Sequence, residues 1–265
     1  MSGHLSRPAR AWLRAVPDSY PACVRTNSEP IDVALARQQH RAYAAALEQE
    51  GVLTRWINPD DTCPDAVFVE DTAVLLGPEA LITTPGAPSR RAEVPPVAEA
   101  IGATIPTSTM ALPATLDGGD VLRSGDTLFV GLSGRTNAAG LEALAARAAA
   151  HGLTVVGVPV AAGLHLKSAV TLAAEGLLVA VADALDLAPF RAAGDEVLSV
   201  SEPFGGNVLA LGRSVLVSAA APQTAALLAG RGLHVTVLNV SELHKGDGAL
   251  TCLSLRQPPR GSWCA

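Results

Sequence analysis

LDGGDVLRSGDTLFVGLSGRTNAAGLEALAARAAAHGLTVVGVPV, residues 116–160, contains one complete structural unit. After Asp120 comes a short apolar run at Val121 and Leu122, then a second run, TLFVGLSG (127–134). Residues 137–150 place Leu141, Leu144, Ala145 and Ala148 on one helical face, with Gly152 just beyond as a stop. LTVVGVPV (153–160) is rich in β-branched residues and predicts a third strand. The order is strand, strand, helix, strand.

That order repeats outward in both directions. A small or polar residue followed by an apolar run recurs at Asp71 (TAVLL), Ser168 (AVTL), Asn207 (VLAL) and Gly248 (ALTCL). The intervals are roughly 40–50 residues, the scale of a repeat architecture. Second runs follow as ALITTPG, GLLVAVAD and SVLVSAAA, and third runs as ATIPTS, EVLSVS and HVTVLNV. Four units are thus complete. The chain ends supply a fifth: PACVRT (21–26) as second strand, residues 31–50 as helix with Ser28 as N-cap and Gly51 as stop, and VLTRWI (52–57) as third strand. Its missing first strand is GALTCLSLR (248–256). The expected fold is therefore α/β, a closed ring of five ββαβ units with pseudo-fivefold symmetry, sealed by the N- and C-terminal segments. Closure would also protect the outer units from exposed edges. One domain over residues 1–265 is expected, with 1–14 and 259–265 as peripheral tails. The alternative is an open α/β sheet without symmetry. In a ring, the first strands converge near the axis, and that is where Glu70, Asp71, Asp117, Asp120, His165 and Cys252 fall.

Composition narrows the function classes. The chain of 265 residues is 49% hydrophobic and 17% charged, which describes a packed globule; aromatics are 3%, so Ala, Val and Leu must build the core. The net charge of −6 argues against nucleic acid and is compatible with a cationic substrate. None of the four cysteines forms a C-x-x-C pair, no histidine stands at zinc-finger spacing, and reduced thiols in a cytoplasmic protein are the expectation. Neither a secretory h-region nor an apolar run of about 18 residues is present, so no signal peptide or membrane span is expected.

Several residues could carry chemistry. Glu70 and Asp71 in VFVEDTAV are charges inside an apolar run; as strand residues they would point to opposite faces, for a structural ion pair or for a cationic ligand. Asp65 lies just before this strand and suits a turn or a ligand. Asp117 in LDGGD suits a turn or the orientation of a histidine, and the glycine pair lacks the pattern of a phosphate loop. His165 alternates with Leu164 and Leu166; alone it reads as a core histidine. Arg90 and Arg135 follow the second strands of neighbouring units and could clamp one carboxylate, or simply lie on the surface. Cys252 alone reads as a buried small hydrophobe, but with His165 and Asp117 it offers a nucleophile, an acid/base and an orienter. Cys23 and Cys63 read as bystanders and Cys264 as part of a terminal tail.

Taken together and in order, VFVEDTAV, ITTPGAPSRR, LDGGDVL, FVGLSGRTN, GLHLKSAVT and SELHKGDGALTCLS closely resemble the dimethylarginine dimethylaminohydrolase family of the guanidine-modifying superfamily. The resemblance runs from about residue 15 to about 258. It implies a five-bladed α/β propeller that hydrolyses methylated arginines to citrulline and a methylamine. It implies Cys252 as nucleophile, His165 as general acid/base, Asp117 as the supporting carboxylate, and Asp71 with Glu70 as the guanidinium-binding pair. Asp65 would help hold the amino-acid end, Arg90 and Arg135 the substrate carboxylate, and backbone groups of Tyr20 and Gly246 the α-amino group. Tyr20 stands where a leucine is familiar in the flap, and Gly246 where a β-branched residue is common. No metal or organic cofactor is implied, though zinc could inhibit at Cys252. The partner is a small cationic amino acid, and the protein is a monomer or homodimer. Another guanidine-modifying activity (arginine or agmatine deiminase, amidinotransferase) is the alternative, followed by a non-catalytic propeller that binds a macromolecule.

Overall fold

The computed structural model describes residues 7–161 and 163–257. Within them the strands form five separate three-stranded sheets. In each sheet the first strand pairs antiparallel with the second, and the second pairs in parallel with the third. The quoted unit contains Val121–Ser124, Thr127–Leu132 and Thr154–Pro159, with the helix Ala138–Ala149 as crossover. Asn137 caps that helix by accepting the Gly140 N–H at 2.8 Å. Gly152 then turns the chain with φ +70°, a conformation that favours glycine.

The closing unit is assembled from both ends of the chain. Leu255–Gln257 pairs antiparallel with Arg10–Arg14, in the register Trp12 to Leu255, and Arg10–Arg14 pairs in parallel with Leu53–Ile57. Four sequence expectations are corrected here. The middle strand is Arg10–Arg14, not PACVRT, and residues 10–14 are core rather than a peripheral tail. RAWLR has an arginine at each end and so reads as polar, yet Ala11, Trp12 and Leu13 are buried. Arg14 is buried too, donating to the carbonyls of Glu93 and Asn58 and to Asp60. The helix Val33–Gln49 is capped by Asp32, not Ser28, through the Leu35 N–H at 3.0 Å. Strand structure in GALTCLSLR begins only at Leu255, so Cys252 precedes it. The expected tail 259–265 lies outside the described residues.

Apolar packing explains why five units close. Each hydrophobic cluster sits at a seam between neighbouring units. Leu13, Tyr43 and Leu47 meet Leu209 and Leu216; Trp12 and Leu255 meet Ile82 and Ile101. Leu76 and Leu81 meet Val130 and Leu144, Phe129 meets Leu178 and Phe190, and Val179 meets Val215 and Leu228. First and second strands apolar on both faces cannot stand alone in water, and stacking around a circle buries them, while the third strands keep exposed positions at the rim.

Polar groups close a second circle at the hub. Arg256 of the closing unit donates to Glu70 at 2.9 Å, and Asp71 accepts the Gly119 N–H at 2.9 Å. Asp120 accepts the Leu166 N–H at 2.9 Å, and Asn207 donates to the Lys167 carbonyl at 2.8 Å. Asn207 also accepts the Thr251 N–H at 3.1 Å, which returns to the closing unit. Inner strand edges would otherwise leave buried amides unpaired, and these side chains satisfy them.

Candidate active site

Glu70, Asp71, Asp117, His165 and Cys252 sit on or beside one-turn segments just ahead of first strands, not on the strands themselves. Glu70 and Asp71 lie in the turn Val69–Thr72, Asp117 adjoins the turn Gly118–Asp120, and Cys252 lies in Thr251–Leu253. His165 immediately precedes the short helix Leu166–Ala169. The expectation of strand geometry for Glu70, Asp71 and His165 is thereby corrected. A turn lets adjacent residues serve one hub: Glu70 and Asp71 are both buried there instead of facing opposite sides of a sheet.

Two glycines make this convergence possible. A Cβ on Gly118 would lie 2.0 Å from the Glu70 carbonyl oxygen. One on Gly119 would lie 2.7 Å from His165 Nδ1 and 2.8 Å from Asp71 Oδ1. The pair in LDGGD therefore permits close approach of three turns rather than phosphate binding.

The imidazole of His165 is held between carboxylates. Its Nε2 is 2.9 Å from Asp117 Oδ2 and 3.8 Å from Asp71 Oδ1. Burial disfavours the imidazolium, but Asp71, Asp117 and Asp120 outweigh it and raise the His165 pKa above its ordinary value. Burial also opposes ionisation of Asp71, yet His165, Arg90 and the Gly119 N–H together hold its carboxyl below the usual range. Asp117 is wholly buried, accepting the Gly86 N–H at 2.8 Å, with Arg135 Nη1 at 3.4 Å. Asp71, Asp117 and His165 each bring one donor atom within 4.8 Å of the others, a spacing a cation would accept. Positive charge from Arg90 and Arg135 already lies among these oxygens.

Cys252 is half-buried beside the other carboxylate. Burial, then Glu70 and Asp71, push its thiol up to about 12, with Lys167 acting in the opposite direction. Glu70 Oε1 accepts from Lys167 at 2.6 Å and Arg256 at 2.9 Å, while Glu70 Oε2 is buried with no hydrogen-bond partner. Such an acceptor is costly unless a ligand meets it.

The two arginines differ. Arg90 is buried under the hub, bonded to Asp71, to both oxygens of Glu93, and to the carbonyls of Phe68 and Asp65. Arg135 is 15% exposed and makes one long contact to Asp117. Asp65 accepts the Val24 N–H at 3.1 Å, which ties residues 20–26 to the hub.

Tyr20 and Gly246 form one arrangement. The Tyr20 hydroxyl donates to the carbonyls of Glu242 and Leu243, and its ring meets Phe68 edge-on. A Cβ at Gly246 would lie 2.5 Å from the Tyr20 hydroxyl, so the tyrosine occupies the space a side chain would need. Gly246→Val is expected to lower the melting temperature of this protein. Tyr20→Leu in the same chain should restore most of the loss, because the smaller residue vacates that space. A double variant no more stable than Gly246→Val would disprove the pairing.

Sequence reasoning missed three residues of the hub: Lys167, Arg256 and Glu93. Lys167 stands inside GLHLKS and Glu93 lies three residues beyond Arg90, but nothing local marks either as a partner of a carboxylate or an arginine. Arg256 meets Glu70 across 186 positions.

The five-unit ring thus gathers a thiol, an imidazole and buried carboxylates at its hub. No family model matches the chain. The N(G),N(G)-dimethylarginine dimethylaminohydrolase of Streptomyces coelicolor is 45% identical over 235 residues, 86% of this chain and 88% of that protein. The one from Pseudomonas aeruginosa is 33% identical over 227 residues, 85% and 89% of the two. Among solved structures, a histidine-to-glycine variant of dimethylarginine dimethylaminohydrolase in adduct with S-methyl-L-thiocitrulline matches with TM-score 0.90 at 30% identity, covering 94% of this chain and 99% of that one. A cysteine-to-serine variant from P. aeruginosa complexed with citrulline matches with the same score at 29% identity, with the same coverage. The chain belongs to the dimethylarginine dimethylaminohydrolase family.

Proposed function

We propose that this protein hydrolyses Nω-methylated arginines, asymmetric dimethylarginine and monomethylarginine, to citrulline and a methylamine. The unpartnered, buried Glu70 oxygen beside a protonated thiol carries the reading. Both lack the same thing. A guanidinium donates an N–H to the oxygen, and its positive charge favours the thiolate, so the substrate helps to activate its nucleophile.

As the guanidinium binds, the Cys252 thiol releases its proton to solvent, and the thiolate attacks the central guanidinium carbon. Asp71 and Glu70 hold the cation and its plane. His165, whose raised pKa suits an acid, donates its proton to the methylated nitrogen as the C–N bond breaks, leaving a thiouronium on sulfur. The neutral imidazole, held by Asp117, then takes a proton from water, and the hydroxyl adds to the same carbon. Collapse breaks the C–S bond, the hydroxyl proton passes through solvent to the released amine, and the thiolate returns with citrulline. This sequence requires no cofactor, and a zinc ion on the thiolate would block it.

Arg135, the more accessible arginine, holds the substrate carboxylate, and Arg90 contributes mainly by fixing Asp71. Asp65 and the backbone of Tyr20 and Gly246 receive the α-amino end. The chain acts as one domain, as monomer or homodimer, without nucleic acid or membrane. No helix among the described residues is long and apolar enough to cross a membrane. Free thiols at Cys23, Cys63 and Cys252 suit a reducing cytoplasm.

Incubation with asymmetric dimethylarginine, monomethylarginine, arginine and agmatine, with assay of ureido product and released amine, tests the reading. Turnover of agmatine in preference to methylarginines would reject it. A second measurement follows from the raised thiol pKa. Iodoacetamide alkylation of Cys252 in the free protein should be slow at pH 7 and accelerate steadily to pH 10. A rate already at its plateau at pH 7 would contradict a thiol that needs substrate for ionisation.

A further inference from the structure

We infer that Lys167 is a positioning residue for this reaction: with Arg256 it grips one oxygen of Glu70 and so presents the other to the substrate guanidinium. The inference rests on the proposed hydrolase reading and extends it to a residue that touches no substrate atom. Lys167 is buried at 8% exposure, unusual for a lysine without a specific partner. Its Nζ lies 2.6 Å from Glu70 Oε1, and Arg256 Nη2 lies 2.9 Å from the same atom. Both cations converge on Oε1, and Oε2 is left buried and unbonded. A carboxylate gripped through one oxygen by two charged donors cannot rotate freely, so the orientation of Oε2 is set before a ligand arrives.

The grip is itself anchored. The Lys167 carbonyl accepts from Asn207 Nδ2 at 2.8 Å, and the Leu166 N–H is held by Asp120. Arg256 is braced by hydrogen bonds to the Thr251 and Ser254 carbonyls, on either side of Cys252. The same pattern stands behind Asp71, where Arg90 takes Oδ2 while Oδ1 faces His165. Each carboxylate thus keeps a cation at its back and one oxygen toward the hub. A buried carboxylate needs such a partner to remain ionised.

The test uses Lys167→Met, Glu70→Gln and the double variant in the full-length chain. Two constants are read: KM for asymmetric dimethylarginine, a cation, and the competitive inhibition constant of citrulline, a neutral ureido ligand. Lys167→Met should raise the first about tenfold or more, the scale of a hydrogen bond to a charged group, and the second several-fold less. The double variant should be no worse than Glu70→Gln, because Lys167 acts through Glu70. Equal weakening of both ligands, additive losses in the double variant, or no change in Lys167→Met would each overturn the inference. Should Lys167→Met fail to fold, the double variant, which removes both charges, still provides the comparison with Glu70→Gln. Wild-type turnover is the control for the hydrolase reading itself. If it is absent, calorimetric binding of the same two ligands still measures what Lys167 does.

Discussion

Cys252→Ser is expected to abolish citrulline formation while leaving the ring intact. Removing the nucleophile of an enzyme that works through a covalent intermediate lowers kcat on the order of 10⁶-fold. A hydroxyl at this position is a far weaker nucleophile, and no other thiol lies in the hub turns. The fold should be indifferent. Cys252 is only half-buried, and an oxygen for sulfur exchange in the turn Thr251–Leu253 opens no large cavity. Circular dichroism and the melting temperature should therefore match the wild type, and methylarginine should still bind. Retained turnover in the serine variant would end the nucleophile assignment. Loss of fold together with activity would instead give Cys252 a structural role.

Arg90→Ala should act on stability before it acts on kinetics. The guanidinium is 4% exposed and sits between Asp71 and Glu93, both also buried. Its removal leaves two buried carboxylates without their cation, a class of change that costs about 3–5 kcal/mol. Against a typical domain stability of about 5–15 kcal/mol, that is a large fraction. Arg135→Ala removes a side chain with one 3.4 Å contact and should instead raise KM for methylarginines with little change in melting temperature. The two arginines occupy equivalent places in neighbouring repeats, yet thermal denaturation should separate them by many degrees. Equal melting temperatures for the two variants would show that Arg90 is not needed to neutralise the hub.

The repeat was legible because burial of the first two strands of every sheet imposes the same strand, strand, helix, strand pattern wherever it recurs. Ring closure was legible too, since the ends of the chain each held part of one unit. The middle strand of that unit was not. Arg10–Arg14 ends in an arginine, Arg14, whose burial depends on carbonyls of Asn58 and Glu93, up to 79 positions away. The hub was read as strand for a related reason: VFVEDTAV and GLHLKS are apolar enough to be strands, and only the crowding of five units at the axis makes them turn. Two substitutions that looked independent, Tyr20 and Gly246, proved to be one packing solution.

Local chemistry along the chain indicated five units and their closure, and offered Cys252, His165 and the acidic residues as candidates. Tertiary structure alone decided which charge stands behind which: Lys167 and Arg256 on Glu70, across 97 and 186 positions, and Arg90 on Asp71. Apolar periodicity repeats within a few residues and is written into each segment. The pairing of buried charges depends on distances of a few ångströms between segments that share no sequence neighbourhood, so it exists only once the ring has closed.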